Sequence, residues 1–231
     1  MSLAIVYTRA ALGIEAPLIT VEVHLSNGLP GLTMVGLPET TVKEARDRVR
    51  SALINSGYAF PAKKITINLA PADLPKEGGR YDLPIALALL VASEQLNTTR
   101  LNQYEFVGEL ALTGGLRGVP GAIPSAMEAI KAGRRIVVSS DNAAEVGLIG
   151  GSDCLVADHL QEVCAFLAGQ TSLSPPLAEA PARDERYEDL LDVIGQQQGK
   201  RALEIVAAGG NNLLLIGPPG TGKTMLASRL P

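Results

Sequence analysis

The eight residues GPPGTGKT, from Gly217 to Thr224, constrain this chain more than any other stretch, because they fit the pattern G-x-x-x-x-G-K-[ST]. That pattern works only where a buried strand runs into a glycine-rich turn and a helix follows. NLLLI, from Asn212 to Ile216, supplies the apolar run before it, and MLASRL supplies helix-compatible residues after it. Gly217, Gly220 and Gly222 let the backbone wrap closely and aim N–H groups at phosphate oxygens, with Pro218, Pro219 and Thr221 completing the turn. Lys223 is then placed to neutralise the β- and γ-phosphates of ATP, and the Thr224 hydroxyl to ligate Mg²⁺. The helix adds its N-terminal dipole.

Binding phosphate is not hydrolysis, which also needs an acidic strand for Mg²⁺ and water and an arginine finger. Neither is visible. With only seven residues after Thr224, the chain is expected to be a fragment of a larger protein, with little or no ATPase activity of its own.

Upstream, hydrophobic period carries the reading. Ile19, Val21, Val23 and Leu25 alternate with Thr20, Glu22, His24 and Ser26, a half-buried strand with His24 on its solvated face. Gly31 to Val35 and Lys64 to Ala70 (KITINLA) read as further strands. Between them TTVKEARDRVRSALINSG is a helix: Thr41 and Glu44 have capping-box spacing, Val42, Ala45, Val49 and Leu53 form the buried stripe, and Gly57 stops it. Its outward cations Lys43, Arg46, Arg48 and Arg50 could meet phosphate, but the plainer reading is a solvated face paired with Glu44 and Asp47. A helix opening near Pro84 (IALALLVA) is apolar nearly all round and belongs in the core. Tyr104 to Glu109, Leu110 to Thr113 and Arg135 to Ser139 read as strands. Pro124 to Lys131 reads as a helix closed by Gly133, Asp141 as the cap of a short helix, and Asp158 to Leu167 as a last helix.

GQTSLSPPLAEAPA, from Gly169 to Ala182, has linker composition. The expected division is therefore a domain over 1–168, a linker over 169–182, and a second segment over 183–231 in which two helices precede the strand and loop. Apolar residues make up 46 % and aromatics only 3 % with no Trp, so aliphatic layers of helix and sheet must build the core. No apolar run approaches the roughly 20 residues of a membrane span, and MSLAIVYTRAALGIEAP lacks the basic start of a signal peptide. A soluble, cytoplasmic protein is expected. The net charge of −4 argues against coating nucleic acid by charge alone, while leaving a local basic groove open. Cys154 and Cys164 lack metal-ligand spacing and read as free buried thiols.

The runs GLPGLTMVGLPETTVKEARDRVRSALINSG and KITINLAPADLPKEGGRYDLPIALALL, together with GPPGTGKT, resemble the ComM/YifB family of magnesium-chelatase-like AAA+ ATPases across essentially the whole chain. The resemblance implies an α+β fold: a Lon-protease-like N-terminal domain, a mixed sheet with helices, followed by a truncated α/β P-loop AAA+ segment. It also implies assembly into a hexameric ring and, from the ComM side, a helicase promoting branch migration of single-stranded or branched DNA during natural transformation. Lon-type proteases place their serine in a P-K-D-G-P-S-A-G loop. Pro75, Lys76, Glu77 and Gly78 match that wording, but Arg80 fills the serine position, and the partner lysine would fall near Ile123 or Pro124. Peptide hydrolysis by that dyad is therefore not expected, and Lys76 with Ser125 is a poor substitute. Lys76, Arg80 and the neighbouring Lys63 and Lys64 suggest instead a contact with nucleic acid or a second protomer, or else a plain solvent-exposed loop. The leading function is an ATP-driven motor on DNA. A chelatase-type protein remodeller, an ATP-dependent protease and a scaffold are the alternatives.

Overall fold

In the computed structural model, which describes residues 2–36, 39, 42, 44–149, 153–176 and 188–230, the period-two segment is a strand. β2 (Leu18–Ser26) buries Ile19, Val21, Val23 and Leu25 and leaves His24 half-buried on the opposite face. It pairs antiparallel with β1 (Ser2–Arg9) and with β4 (Lys64–Ala70), while β3 (Gly31–Val35) runs parallel to β4 at the sheet edge. On the other side of β1 lie β5 (Tyr104–Phe106), β8 (Arg135–Ser139) and β9 (Cys154–Ala157), all parallel to their neighbours. The sheet order is β3-β4-β2-β1-β5-β8-β9. The expected mixed sheet with helices is thus present.

The two halves of the sheet are buried differently, and their sequences differ accordingly. Strands β1, β2 and β4 pack one face under α1 (Ala45–Asn55) and α2 (Asp82–Ala92), so they alternate apolar and polar residues. Strand β8, RIVVS, is covered on both faces and reads as a continuous apolar run. Its Val137 joins the main core with Leu155, whereas Ile136 and Val138 pack with α3 (Ala122–Lys131) and α4 (Ala143–Gly147). Helix α2 is buried at nearly every position, as its composition predicts, and starts at Asp82, two residues earlier than expected, since Pro84 is tolerated within a first turn. α5 (Leu160–Leu167) closes the main core with Cys164; both cysteines are buried and free. No helix among the described residues is long and apolar enough to cross a membrane.

Several local expectations change. Leu110 to Thr113 is not one strand: β6 (Glu109–Leu110) turns back through Thr113, Gly114 and Gly115 to pair with β7 (Leu116–Arg117). Asp141 does not cap a helix. Ser139 takes that role, and the Asp141 carboxylate accepts from the Gly118 N–H at 2.9 Å. The capping residue expected at Thr41, and the outward Lys43, lie outside the described residues. Arg48 turns inward rather than outward, to Asp82.

The chain divides into two compact units, Met1–Glu179 and Ala180–Pro231. Residues 177–182 of the expected linker lie outside the described residues. In the second unit a single 3-10 turn, Leu190–Asp192, stands where the first of two helices was expected, because the left-handed pair Gly195 and Gln196 interrupts the segment before α6 (Gln197–Gly209). Asn212 to Ile216 forms no strand. A ladder needs a partner, none pairs with it among the described residues, and Leu214 and Ile216 are more than three-quarters exposed. The core of this unit is small: Val193, Leu203 and Leu226.

The antiparallel and parallel halves of the first unit's sheet meet at one registered pair, Tyr7 with Glu105. Side chains reinforce that thin junction. Arg9 donates through Nε and Nη2 to the two carboxylate oxygens of fully buried Glu105, at 2.6 and 2.7 Å, and Arg134 Nε donates to the same group at 2.9 Å. The Arg134 guanidinium also lies 4.7 Å from the centre of the Tyr7 ring. Removing the shared anion strands two cations against the sheet. Glu105→Gln is therefore expected to destabilise the chain by about 3–5 kcal/mol, measured as the shift in urea unfolding followed by circular dichroism.

Candidate functional site

The glycine-rich loop of the second unit has the backbone its sequence calls for. Gly220 and Gly222 adopt φ +80° and +84°, a region in which a side chain would be strained. Gly222 is the residue before α7 (Lys223–Ala227), so Lys223 and Thr224 occupy the first turn. Lys223 Nζ folds back over the loop and donates to the carbonyls of Gly217 and Pro218 at 2.8 and 2.9 Å. Thr221 Oγ1 donates to the Pro218 carbonyl at 2.9 Å, drawing the turn closed. Pro219 and Thr224 are exposed. Sequence inspection missed Gln196, whose Nε2 donates to the Thr221 carbonyl at 3.2 Å from 25 residues away. Thus Gly217 to Thr224 form one contiguous exposed turn with its ammonium already at the centre. Residues of the right types to hold a triphosphate and Mg²⁺ are present: backbone N–H groups, Lys223, and the Thr224 hydroxyl. Among the described residues, no cluster of three His, Cys, Asp or Glu side chains could hold a metal ion.

Lys76 and Arg80, expected at an accessible loop surface, are instead buried. Lys76 Nζ donates to the Pro71 carbonyl, and burial pushes its ammonium below the usual lysine range while the charge of Asp73 pulls it back. Arg80 sits in a single 3-10 turn, Gly79–Tyr81, and donates to the carbonyls of Arg9, at 3.1 Å, and of Pro120. Neither cation stands free at the surface: Lys76 is 0 % and Arg80 4 % exposed. Both long side chains direct their donors to backbone carbonyls. Lys63 and Lys64 are exposed, Lys63 in the bend before β4 and Lys64 at its first position.

Arg80 and the segment before α3 line one cavity of about 310 Å³, together with Glu77, Gly78, Gly79 and Glu109. The two segments compared above with a protease dyad therefore do meet. A Cβ at Gly79 would press on the Glu109 side chain, which would have to swing aside. The described lining offers no hydroxyl, thiol or amine to act as nucleophile or base. Ser125 is buried and donates to the Gly121 carbonyl at 2.9 Å, so it and Lys76 are engaged on different carbonyls and form no substitute dyad.

Beside this cavity Asp82, fully buried at the start of α2, accepts from Arg48 Nε and Nη2 at 2.7 and 3.0 Å and from the Leu110 N–H at 3.3 Å. Burial pushes its carboxyl up to about 6, with the Arg48 hydrogen bond and charge pulling the other way. An unfolded Asp releases its proton near pH 4, so between about pH 4 and about pH 6 the folded chain holds a proton that the unfolded chain has lost. The folded-state value being the raised one, stability falls as pH rises through that window. Asp82→Asn removes the titration. Its stability relative to the parent chain is expected to rise by on the order of 2 kcal/mol between about pH 4 and about pH 7, read from urea unfolding at each pH.

Comparison with known proteins places this geometry in context. Residues 21–142 match the family described as subunit ChlI of Mg-chelatase, and residues 189–231, which include the glycine-rich loop, match the family described as magnesium chelatase, subunit ChlI. Over its whole length the chain is 77 % identical to the protein YifB of Salmonella typhimurium, 58 % identical to the competence protein ComM of Haemophilus influenzae, and 40 % identical to the protein Rv2897c of Mycobacterium tuberculosis. In each case the chain spans 46 % of the relative, a little under half its length. With a magnesium-chelatase match over more than half of its residues and these relatives along its full length, the chain belongs to the ComM/YifB family of magnesium-chelatase-like AAA+ ATPases.

Proposed function

We propose that this chain carries the phosphate-binding loop and the leading domain of an ATP-driven motor that acts on DNA. The observation that carries the reading is the Lys223 ammonium, held over the loop by the Gly217 and Pro218 carbonyls within GPPGTGKT. A lysine so placed exchanges two neutral acceptors for charged phosphate oxygens, and charge-assisted bonds are roughly twice as strong as neutral ones. Bound ATP with Mg²⁺ supplies the phosphoryl-transfer chemistry. Lys223 and the loop N–H groups orient the phosphates, and the Thr224 hydroxyl positions the ion.

The DNA assignment draws on the competence relative and on the family resemblance. In this reading residues 1–168 form a Lon-protease-like collar that guides substrate and helps assemble a hexameric ring, and residues 183–231 begin the AAA+ module after the linker. The ring promotes branch migration on single-stranded or branched DNA during recombination. A Lon-like collar without hydrolysis fits the cavity at Arg80, where a guanidinium bound to two carbonyls occupies the nucleophile position. A second reading, a chelatase-type remodeller of a protein partner, is favoured by the ChlI matches over both segments.

ATP turnover by a polypeptide of the relatives' full length that contains this chain separates the two. Stimulation by single-stranded DNA or a branched junction is expected, and Lys223→Ala should lower turnover by about 10²–10³-fold. A rate indifferent to either DNA would favour the remodeller. Full turnover in the Lys223→Ala variant would remove the loop from the chemistry altogether.

A further inference from the structure

We infer that the first unit has its own nucleic-acid site, a cationic pocket between α1 and the β3 edge of the sheet that binds the sugar-phosphate backbone of single-stranded nucleic acid. The pocket has a volume of about 210 Å³. Arg46 and Arg50 from α1 and Lys63 from the segment leading into β4 supply its charge, over a floor that includes Leu32, Phe60 and Ile65. Arg46 and Arg50 are four residues apart, so they share one face of the helix at a separation of about 6 Å. Arg46, Arg50 and Lys63 are all exposed.

Two features distinguish this pocket from a solvated charged face. First, the described lining contains three cations and no carboxylate. Asp47 lies 4.0 Å from Arg46 and is itself 87 % exposed, a geometry worth little in water. Elsewhere on the same helix Arg48 has partners in Asp82 and Glu44, so the paired and the pocket-lining cations sit on different faces. Second, the Arg50 guanidinium lies 5.0 Å from the centre of the Phe60 ring. A guanidinium held over a ring is restrained while its donors stay available for phosphate.

The chemistry of the lining decides what kind of guest fits. Its polar side chains are the three cations alone, a donor set suited first to backbone phosphate. Planar forks favour tetrahedral phosphate held by more than one donor. On a chain of net charge −4, such a pocket is a local attraction on an otherwise repelling surface. The site deepens the DNA reading given above and borrows from it only the choice of probe, because it lies in the unit without the nucleotide loop.

The test uses the 231-residue chain without nucleotide and a labelled oligothymidylate, with affinity read by fluorescence anisotropy between about 50 and 200 mM salt. The triple variant Arg46→Gln, Arg50→Gln, Lys63→Gln is expected to bind more weakly and to flatten the slope of log affinity against log salt by about 2, since each phosphate contact on a single strand contributes about 0.7. Lys63→Glu alone, in an exposed loop, should weaken binding with an unchanged circular dichroism spectrum. Lys131→Glu, away from the pocket, should bind as the parent does. Unchanged affinity and slope in the triple variant, or an equal loss in Lys131→Glu, would overturn the site. So would displacement of the oligonucleotide by polyglutamate of matched charge, which marks an acidic protein partner, or by inorganic phosphate at equal phosphate concentration, which marks a site for the free ion. Because no ATP is present, a negative result here leaves DNA-stimulated turnover separately measurable.

Discussion

The sheet of the first unit depends on one carboxylate. Glu105 sits where an antiparallel half and a parallel half join through a single registered pair, and it is the shared acceptor for Arg9 and Arg134. Two half-sheets with different burial, one covered on a single face and the other on both, would otherwise touch along very little backbone. A buried ion pair is not stabilising in itself, because desolvation offsets its Coulomb attraction. Here it acts by geometry: a bidentate fork and a second donor fix β1 against β5, and the Arg134 guanidinium stacks on Tyr7 across the same junction. The remaining donors of Arg9 reach the carbonyls of Ala16 and Glu128, which extends the tie to the loop before β2 and to α3.

Arg80 extends the same framework to the cavity. Its donation to the Arg9 carbonyl and to Pro120 connects the turn before α2 with the end of β1 and the segment before α3. A serine in that position would leave both carbonyls without the long fork that now reaches them. The residue standing at the Lon-type serine position is therefore the residue that ties these loops together. Lys76 is used similarly on the Pro71 carbonyl. A loop whose wording resembles a catalytic one is kept in shape here by buried cations.

What the sequence disclosed and what it hid divide along the range of the interactions. The stripe Val42, Ala45, Val49 and Leu53, the alternation of β2 and the all-apolar α2 are set by neighbours within a few residues, and all are buried as their periods predict. The GPPGTGKT turn is local too, and its left-handed glycines stand where the pattern needs them. The fate of a lone cation is not local. Arg80 is buried by carbonyls 71 and 40 residues away, and Arg48 is turned inward by a carboxylate 34 residues on. No period in the sequence distinguishes those arginines from Arg46 and Arg50, which stay at the surface. The segment Asn212 to Ile216 differed for a related reason: an apolar run has the composition of a buried strand, but only pairing makes it one.

The second unit differs from the first in what holds it. With a core of Val193, Leu203 and Leu226 among its described residues, it has little hydrophobic stabilisation there to set against the entropy of ordering its chain. Its loop is closed instead by polar contacts, from Lys223, Thr221 and Gln196 onto backbone carbonyls. Those carbonyls are weak acceptors beside a phosphate, so the lysine is poised to change partners rather than locked. A ligand that binds only the folded loop adds stability in proportion to the logarithm of its concentration over its dissociation constant, about 2.7 kcal/mol at a hundredfold excess. For a unit with so small a core that increment is large. In the proposed reading, bound nucleotide would therefore steady the loop and its helix.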